Sequence, residues 1–260
     1  MISHSAQWRA LEGHAVAHRE LHLREIFAAD PDRGDDHVVE AGDLMLDYSK
    51  SRTTRETLRL LAALAAVAGV RARAERMFAG EHINTTEARA VLHPMAALAV
   101  RDSSDPDITL RLISTVDGDD VRDALAGLDP AETLVIVSSK PFTTLETIST
   151  ARAVREWLVG GLGGDTSVVA RHFVAVSTNA AEVAAFGIDT ANMLEFWDWV
   201  GGRYSVDSAI GTALAIAIGG DRFREFLGGF RTIDEHFLTA PVERNMPILM
   251  ALIGIWHGNF

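Results

Sequence analysis

The run Ser138-Ser139-Lys140-Pro141-Phe142-Thr143-Thr144-Leu145-Glu146-Thr147 has the residue types to hold a phosphate. It follows a β-branched stretch at 133–137 and precedes a helical pattern at 145–160, which puts it at the carboxyl end of a strand, where open α/β sheets take ligands. Hydroxyls of Ser139, Thr143 and Thr144 and the free amides of a helix start can converge on an anion, and the helix dipole favours its charge. Composition leaves a second reading open, a Ser/Thr-rich N-cap with no ligand. A second run, Asp198-Trp199-Val200-Gly201-Gly202-Arg203-Tyr204-Ser205-Val206-Asp207-Ser208-Ala209-Ile210-Gly211, places a cation beside two glycines. From residue types alone, the glycines make a turn and Arg203 is a surface ion-pair residue. His14, His18 and His22 recur every fourth residue, a spacing that can bind a transition metal, but no carboxylate site accompanies them and no metal is assigned. The glycine-rich stretch at 160–164 follows a helix instead of opening one and reads as a helix C-cap and loop.

Positioning the first run requires strands and helices in alternation. Short β-branched runs at 108–114, 133–137 and 172–177, separated by helical patterns at 119–127 and 145–160, predict a parallel α/β sheet. Upstream, Trp8, Leu11, Ala15, Leu21 and Ile26 lie near helical spacing across 5–29, ahead of a turn cluster at 30–34. Val38-Val39 and Leu44-Met45-Leu46 flank Gly42-Asp43 as a short hairpin. Thr53 and Glu56 form a capping box before the apolar run at 58–67, and a further helix is expected from Asn84 towards Ala99. The polar stretch at 101–107 marks a boundary, and beyond about 185 the pattern is mostly helical, at 206–218, 222–237 and 247–256.

Bulk properties narrow the partners. Thirty-six acidic against 24 basic residues, a net charge of −12, oppose both nucleic acid and anionic membrane surfaces. The absence of cysteine removes disulfides, thiolate catalysis and cysteine-ligated metals, and fits a reducing compartment. The start has no signal-peptide pattern, and the apolar stretches at 209–218 and 246–256 fall short of the roughly 18 to 20 residues that span a bilayer. A soluble, cytoplasmic protein is expected.

Together these runs resemble the glucose-6-phosphate isomerase family. Residues 139–147 are similar to its phosphate loop, which reads Ser-Lys-Thr-Phe-Thr-Thr-x-Glu-Thr after a strand, and 201–205 match its Gly-Gly-Arg-Tyr-Ser signature. Further similarity, in family order, lies at 46–50, 77–84, 89–93 and 245–260. The resemblance implies that Ser139, Lys140 and Thr144 contact a sugar phosphate, with Thr143 in the same loop and Glu146 in support. It implies that Arg203 stabilises a developing ene-diolate, while Gly201 and Gly202 let backbone approach the sugar. Pro141 departs from the family threonine and removes a hydroxyl and a backbone N–H.

The implied fold is α/β, a parallel sheet of sugar-isomerase type flanked by helices, incomplete, with helical N-terminal and C-terminal segments. Its expected divisions are 1–105, helical with a hairpin; 106–185, a partial sugar-isomerase domain; and 186–260, a helical segment leading to an absent second domain. The implied activity is reversible conversion of glucose 6-phosphate to fructose 6-phosphate through an ene-diol, in glycolysis and gluconeogenesis, by a homodimer without metal or organic cofactor. The family's Gly-Ile-Gly-Gly-Ser loop is missing between His93 and Ile108, and its base, a glutamate in Glu-Ser-Asn-Gly, falls beyond Phe260 with the histidine and lysine of the later steps. Glu243 superficially resembles that base but sits in different surroundings. An internally deleted, truncated copy without activity of its own is therefore expected. The alternative is a non-catalytic sugar-phosphate-binding or vestigial protein.

Overall fold

The computed structural model describes residues 2–81 and 111–260, without the side chain of Arg203. In chain order its helices are α1 (Ala6–His18), α2 (Leu23–Ala29), α3 (Arg33–Asp36), α4 (Arg55–Val67), α5 (Val70–Phe78), α6 (Gly118–Leu125), α7 (Leu145–Gly161), α8 (Val169–His172), α9 (Ala180–Phe186), α10 (Thr212–Ile218), α11 (Gly220–Thr239) and α12 (Met246–Asn259). Its strands are β1 (Val38–Ala41), β2 (Leu44–Asp47), β3 (Val135–Ser138), β4 (Phe173–Ser177) and β5 (Met193–Glu195). These residues fall into two compact units, one holding 2–81 and 228–260 and the other holding 111–227, with the division inside α11.

In the first unit, Leu11 of α1, Leu61, Leu64 and Ala65 of α4, and Ile248, Leu252 and Trp256 of α12 form one apolar core. Their three- and four-residue spacings put each set on one helix face. The Trp256 indole also donates to the carbonyl of Arg52 at 2.8 Å, so the large ring is buried without an unpaired N–H. β1 and β2 pair antiparallel around Gly42 at φ +58, the hairpin expected from the sequence. Asn245 is fully buried; its Oδ1 caps α12 by accepting from the Ile248 amide at 3.3 Å, and its Nδ2 donates to the Phe237 carbonyl at 2.9 Å.

Two histidines make this unit acid-sensitive. The His14 ring bonds the Thr57 hydroxyl at 2.7 Å and lies 3.8 Å from the His18 ring, and His37 is buried with Nε2 accepting from Arg33 at 3.1 Å. Burial first, then the neighbouring His18 or Arg33 respectively, holds both below the usual histidine value; Glu56 opposes this at His14, as Asp30 and Asp36 do at His37. The unfolded chain thus takes up protons from about pH 6.5 downward that the folded chain refuses, so stability falls on acidification. The depressed carboxylates Asp30, Asp47 and Glu56 act only nearer pH 4. Amide exchange in α1 and α4 should accelerate relative to α7 as pH drops from 7 to 5, after correction for intrinsic rates. A ratio that stays constant would contradict this.

In the second unit, β3, β4 and β5 form a parallel sheet in that order, with Ser138 opposite Val176 and Ser177 opposite Glu195. Phe173 and Ala175 of β4 face a core with Val137, Ile148, Ala151, Val154 and Leu158, while Val176 turns to a second cluster with Phe196 and Val200. That alternation is the pleat of a strand buried on both faces. The α/β class with helices flanking a parallel sheet is as the sequence predicted.

Several local expectations change. The helix expected over 5–29 breaks between α1 and α2, because His22 caps α2, accepting from the Arg24 amide while Glu25 reaches back to its own N–H. His22 thus leaves the face of His14 and His18, and no metal-binding group of His, Asp and Glu occurs among the described residues. The capping pair of α4 is Thr54 with Thr57, not Thr53 with Glu56. Of the strand expected at 108–114, residues 111–114 carry no strand and Leu112 is 78 % exposed; 108–110 lie outside the described residues. The helix expected from Asn84 and the boundary at 101–107 also lie outside them. β5 was not anticipated: three residues are too few to show an alternation.

Candidate active site

Three loops leave the carboxyl ends of three adjacent parallel strands, and the two runs singled out in the sequence are two of them. β3 feeds 139–144, β4 feeds 178–179, and β5 feeds 196–204. The Ser139 amide donates to Val176 at 3.0 Å, extending the ladder one residue beyond β3, and its buried side chain donates to the Thr144 hydroxyl at 3.3 Å. Thr144 is the N-cap of α7, yet its side chain makes no capping bond. Its hydroxyl, bonded among the described residues only to Ser139, stands beside the first amides of a 17-residue helix, which have no intrahelical acceptor. Thr143, Thr144 and Glu146 are exposed.

Phe142 determines the path of the loop. It is the only described non-glycine residue at positive φ, +54, and its ring is buried edge-on to Phe186 at 5.9 Å between centroids. Burying the ring requires the left-handed turn, which reverses the chain so that Thr143 and Thr144 begin α7. From β4, the Ser177 and Thr178 hydroxyls and the Thr178 amide donate to the Lys140 carbonyl at 2.9, 3.0 and 3.0 Å. Asn179 donates to the Pro141 carbonyl at 2.9 Å while capping α9. Sequence reading missed all three; their signal was the Ser-Thr-Asn cluster directly after a strand.

The Lys140 ammonium crosses to the third loop and donates to the carbonyls of Asp198 and, at 3.2 Å, Val200. Gly201, Gly202, Arg203 and Tyr204 follow in a single turn, closed by the Tyr204 amide on the Gly201 carbonyl at 3.0 Å and by the Ser205 hydroxyl on the Gly202 carbonyl at 2.6 Å. The structure thus brings Ser139, Lys140, Thr144 and the backbone of 198–204 together. The side chain of Arg203 is outside what the structure describes. Neither glycine is needed by the local fold. A Cβ at Gly202 would meet nothing within 4 Å, and one at Gly201 only the Tyr204 ring at 3.8 Å.

A cleft of about 510 Å³ beside α6, lined by Val121, Arg122, Leu125 and Trp157 among others, shares no lining residue with these loops and has no converging hydroxyls. The strand-end loops are the better candidate.

The sequence model of the phosphoglucose isomerase family matches residues 47–108 and 94–260, most of the chain. The chain belongs to that family. Its curated relatives include glucose-6-phosphate isomerase 2 of Streptomyces coelicolor, 47 % identical over 323 residues that take in all of this chain and 59 % of the relative. The glucose-6-phosphate isomerase of Roseiflexus castenholzii is 47 % identical over 324 residues, covering all of this chain and 60 % of that one. A crystal structure of a glucose-6-phosphate isomerase from Chlamydia trachomatis superposes with a TM-score of 0.78 at 23 % identity, over 99 % of this chain and 60 % of that one, and shows the shared fold. The chain spans about 60 % of the length of these relatives. Alignments of 323 and 324 positions on a 260-residue chain also mean that the relatives carry internal residues it lacks, and the two family matches overlap at 94–108. Among the described residues no helix is long and apolar enough to cross a membrane.

Proposed function

We propose that these 260 residues carry the phosphate-binding part of an aldose–ketose isomerase site for glucose 6-phosphate and fructose 6-phosphate. The observation that carries this reading is the pairing of Ser139 with Thr144 at the start of α7, where the N-cap hydroxyl is free of any capping bond. The names of the relatives supply the substrate. Ser139, Lys140, Thr143 and Thr144 form the phosphate cradle, with Glu146 in support on the first turn of α7. Arg203 meets the charge that develops on the ene-diolate. Gly201 and Gly202 leave room for the sugar, a role supported by the lack of any local packing reason for glycine there. The whole protein works as a homodimer of the family kind, and nucleic acid is not a partner. The division into 1–105, 106–185 and 186–260 belongs to the same proposal, and limited proteolysis can test it.

Inorganic phosphate or glucose 6-phosphate should perturb the amides of Ser139, Lys140, Thr143 and Thr144 in an NMR titration, and unchanged amides at millimolar ligand would sink the reading. Pro141→Thr should tighten binding by about ten- to a hundred-fold for each restored donor that reaches the anion, a hydroxyl and an N–H worth roughly 1.5–3 kcal/mol each to a charged acceptor. Equal affinity would show that neither donor reaches the anion.

The internal residues that the relatives carry and this chain lacks favour the second reading, binding without turnover. In a coupled assay of fructose 6-phosphate conversion, these 260 residues alone should show no measurable isomerase activity. General acid–base groups contribute about 10²–10⁴-fold each, and phosphate binding cannot replace them. Glu146 is exposed two positions past Thr144, on a different side of the helix start. Robust turnover would point to an unassigned base, with Glu146 and Glu243 the first to replace.

A further inference from the structure

We propose that Lys140 is a positioning residue, whose ammonium fastens the carbonyls of Asp198 and Val200 to the 139–144 loop and so makes the 201–204 turn respond to an anion bound at that loop. The coupling half of this inference rests on the phosphate reading above; the fastening half does not. An ammonium has three donors, and two are spent on carbonyls 58 and 60 residues away in sequence. The third has no partner among the described residues, and neither of the two bonds is to a carboxylate. The side chain therefore keeps its charge and one donor while gripping neutral backbone. A phosphate seated on Ser139 and Thr144 would draw on that charge, and any movement of the ammonium would be felt at two carbonyls one and three residues ahead of Gly201.

Both ends of this link are anchored. The Lys140 carbonyl is held by Ser177 and Thr178 at the end of β4, so the lysine backbone is fixed. Val200 is fully buried against Val176 and Phe196, and its amide donates to the Trp197 carbonyl at 3.1 Å. Asp198 and its flanking tryptophans project from that anchor, with Trp197 51 % exposed and stacked on Trp199 at 5.2 Å and 17°. What the buried valine side chain does not hold is the direction of the Asp198 and Val200 carbonyls ahead of the turn, and the ammonium supplies that. The stacked indoles flank one of the gripped carbonyls and make a built-in reporter.

The test compares the full chain with Lys140→Met and Lys140→Arg. Without ligand, Lys140→Met should weaken the exciton signal of the Trp197–Trp199 pair in circular dichroism and raise amide exchange at Val200 and Tyr204 about ten-fold or more. Lys140→Arg, which also donates to carbonyls, should restore both. With inorganic phosphate as probe, the parent and the arginine variant should shift the amides of Gly201 and Gly202 together with those of Ser139 and Thr144. The methionine variant should keep the Ser139 and Thr144 response, at an affinity reduced about ten-fold, and lose the response at the glycines. Unaltered exchange and exciton signal in Lys140→Met would overturn the proposal. So would glycine responses that persist in that variant. If the parent shows no phosphate response at all, the phosphate reading and the coupling fail together, while the ligand-free comparison still decides whether Lys140 fastens the turn.

Discussion

Gly211→Ala should cost the 111–227 unit about 3–5 kcal/mol, lowering its melting transition by roughly 10 °C or more. Gly211 is buried, closes the Ala209–Gly211 turn and caps α10. Its φ of −74° is open to any residue, so the demand for glycine is not conformational. It is steric. A Cβ there would lie 2.1 Å from the Val206 carbonyl oxygen and 2.8 Å from Cζ of Phe223. Neither can give way cheaply, since the ring is fully buried and the oxygen belongs to the backbone of the turn that follows the 201–204 segment. The comparison is Gly202→Ala, also in a turn but with nothing within 4 Å of its added methyl, which should stay within about 0.5 kcal/mol. Calorimetry of both variants checks the claim. Equal melting temperatures would show that the approach at Gly211 is looser than 2.1 Å implies.

Phe142→Ala should destabilise the same unit by about 3–5 kcal/mol and detach the 139–144 loop from its core. The ring is 3 % exposed and packs in the main apolar cluster of the unit. Its backbone, at φ +54, pulls the other way, since a side chain in the left-handed region costs on the order of 1 kcal/mol. Phe142→Gly separates the two terms, because it removes the same ring and the strain together. In ordinary backbone glycine is about 0.5–1 kcal/mol worse than alanine. Here Phe142→Gly should equal or exceed Phe142→Ala in stability, while both should lose the phosphate response proposed above because the 143–145 amides are no longer held. Chemical denaturation read on the 111–227 unit gives the order, and a glycine variant clearly weaker than alanine would argue against stored strain at this position.

Much of the frame was legible in the sequence, because it depends on local signals. β-branched runs at 133–137 and 172–177 and the helical spacing of Ile148, Ala151, Val154 and Leu158 are short-range patterns, and each became the element expected. The hairpin about Gly42 and the capped glycines after α7 belong with them. Boundaries were less legible. Whether Thr53 or Thr54 caps α4 is a choice between adjacent hydroxyls that local pattern does not make; in the fold Thr53 is buried and Thr54 accepts from the Thr57 amide. β5 is a strand only because β4 offers it a parallel edge.

The sequence by itself determined the family and which residue types stand in the two candidate runs, since both rest on identities in order along the chain. It also carried the prediction that 139–144 follows a strand and opens a helix. What only the tertiary structure decided is how those runs meet. Lys140 and Val200 are sixty residues apart, and nothing in either neighbourhood says that an ammonium from one will grip carbonyls of the other. The same holds for the bracing of the Lys140 carbonyl by Ser177 and Thr178 and for the ring that holds Phe142 in a left-handed turn. Each is a contact between segments whose proximity comes from parallel strands laid side by side, and strand order is a property of the packed sheet that no local run of residues encodes.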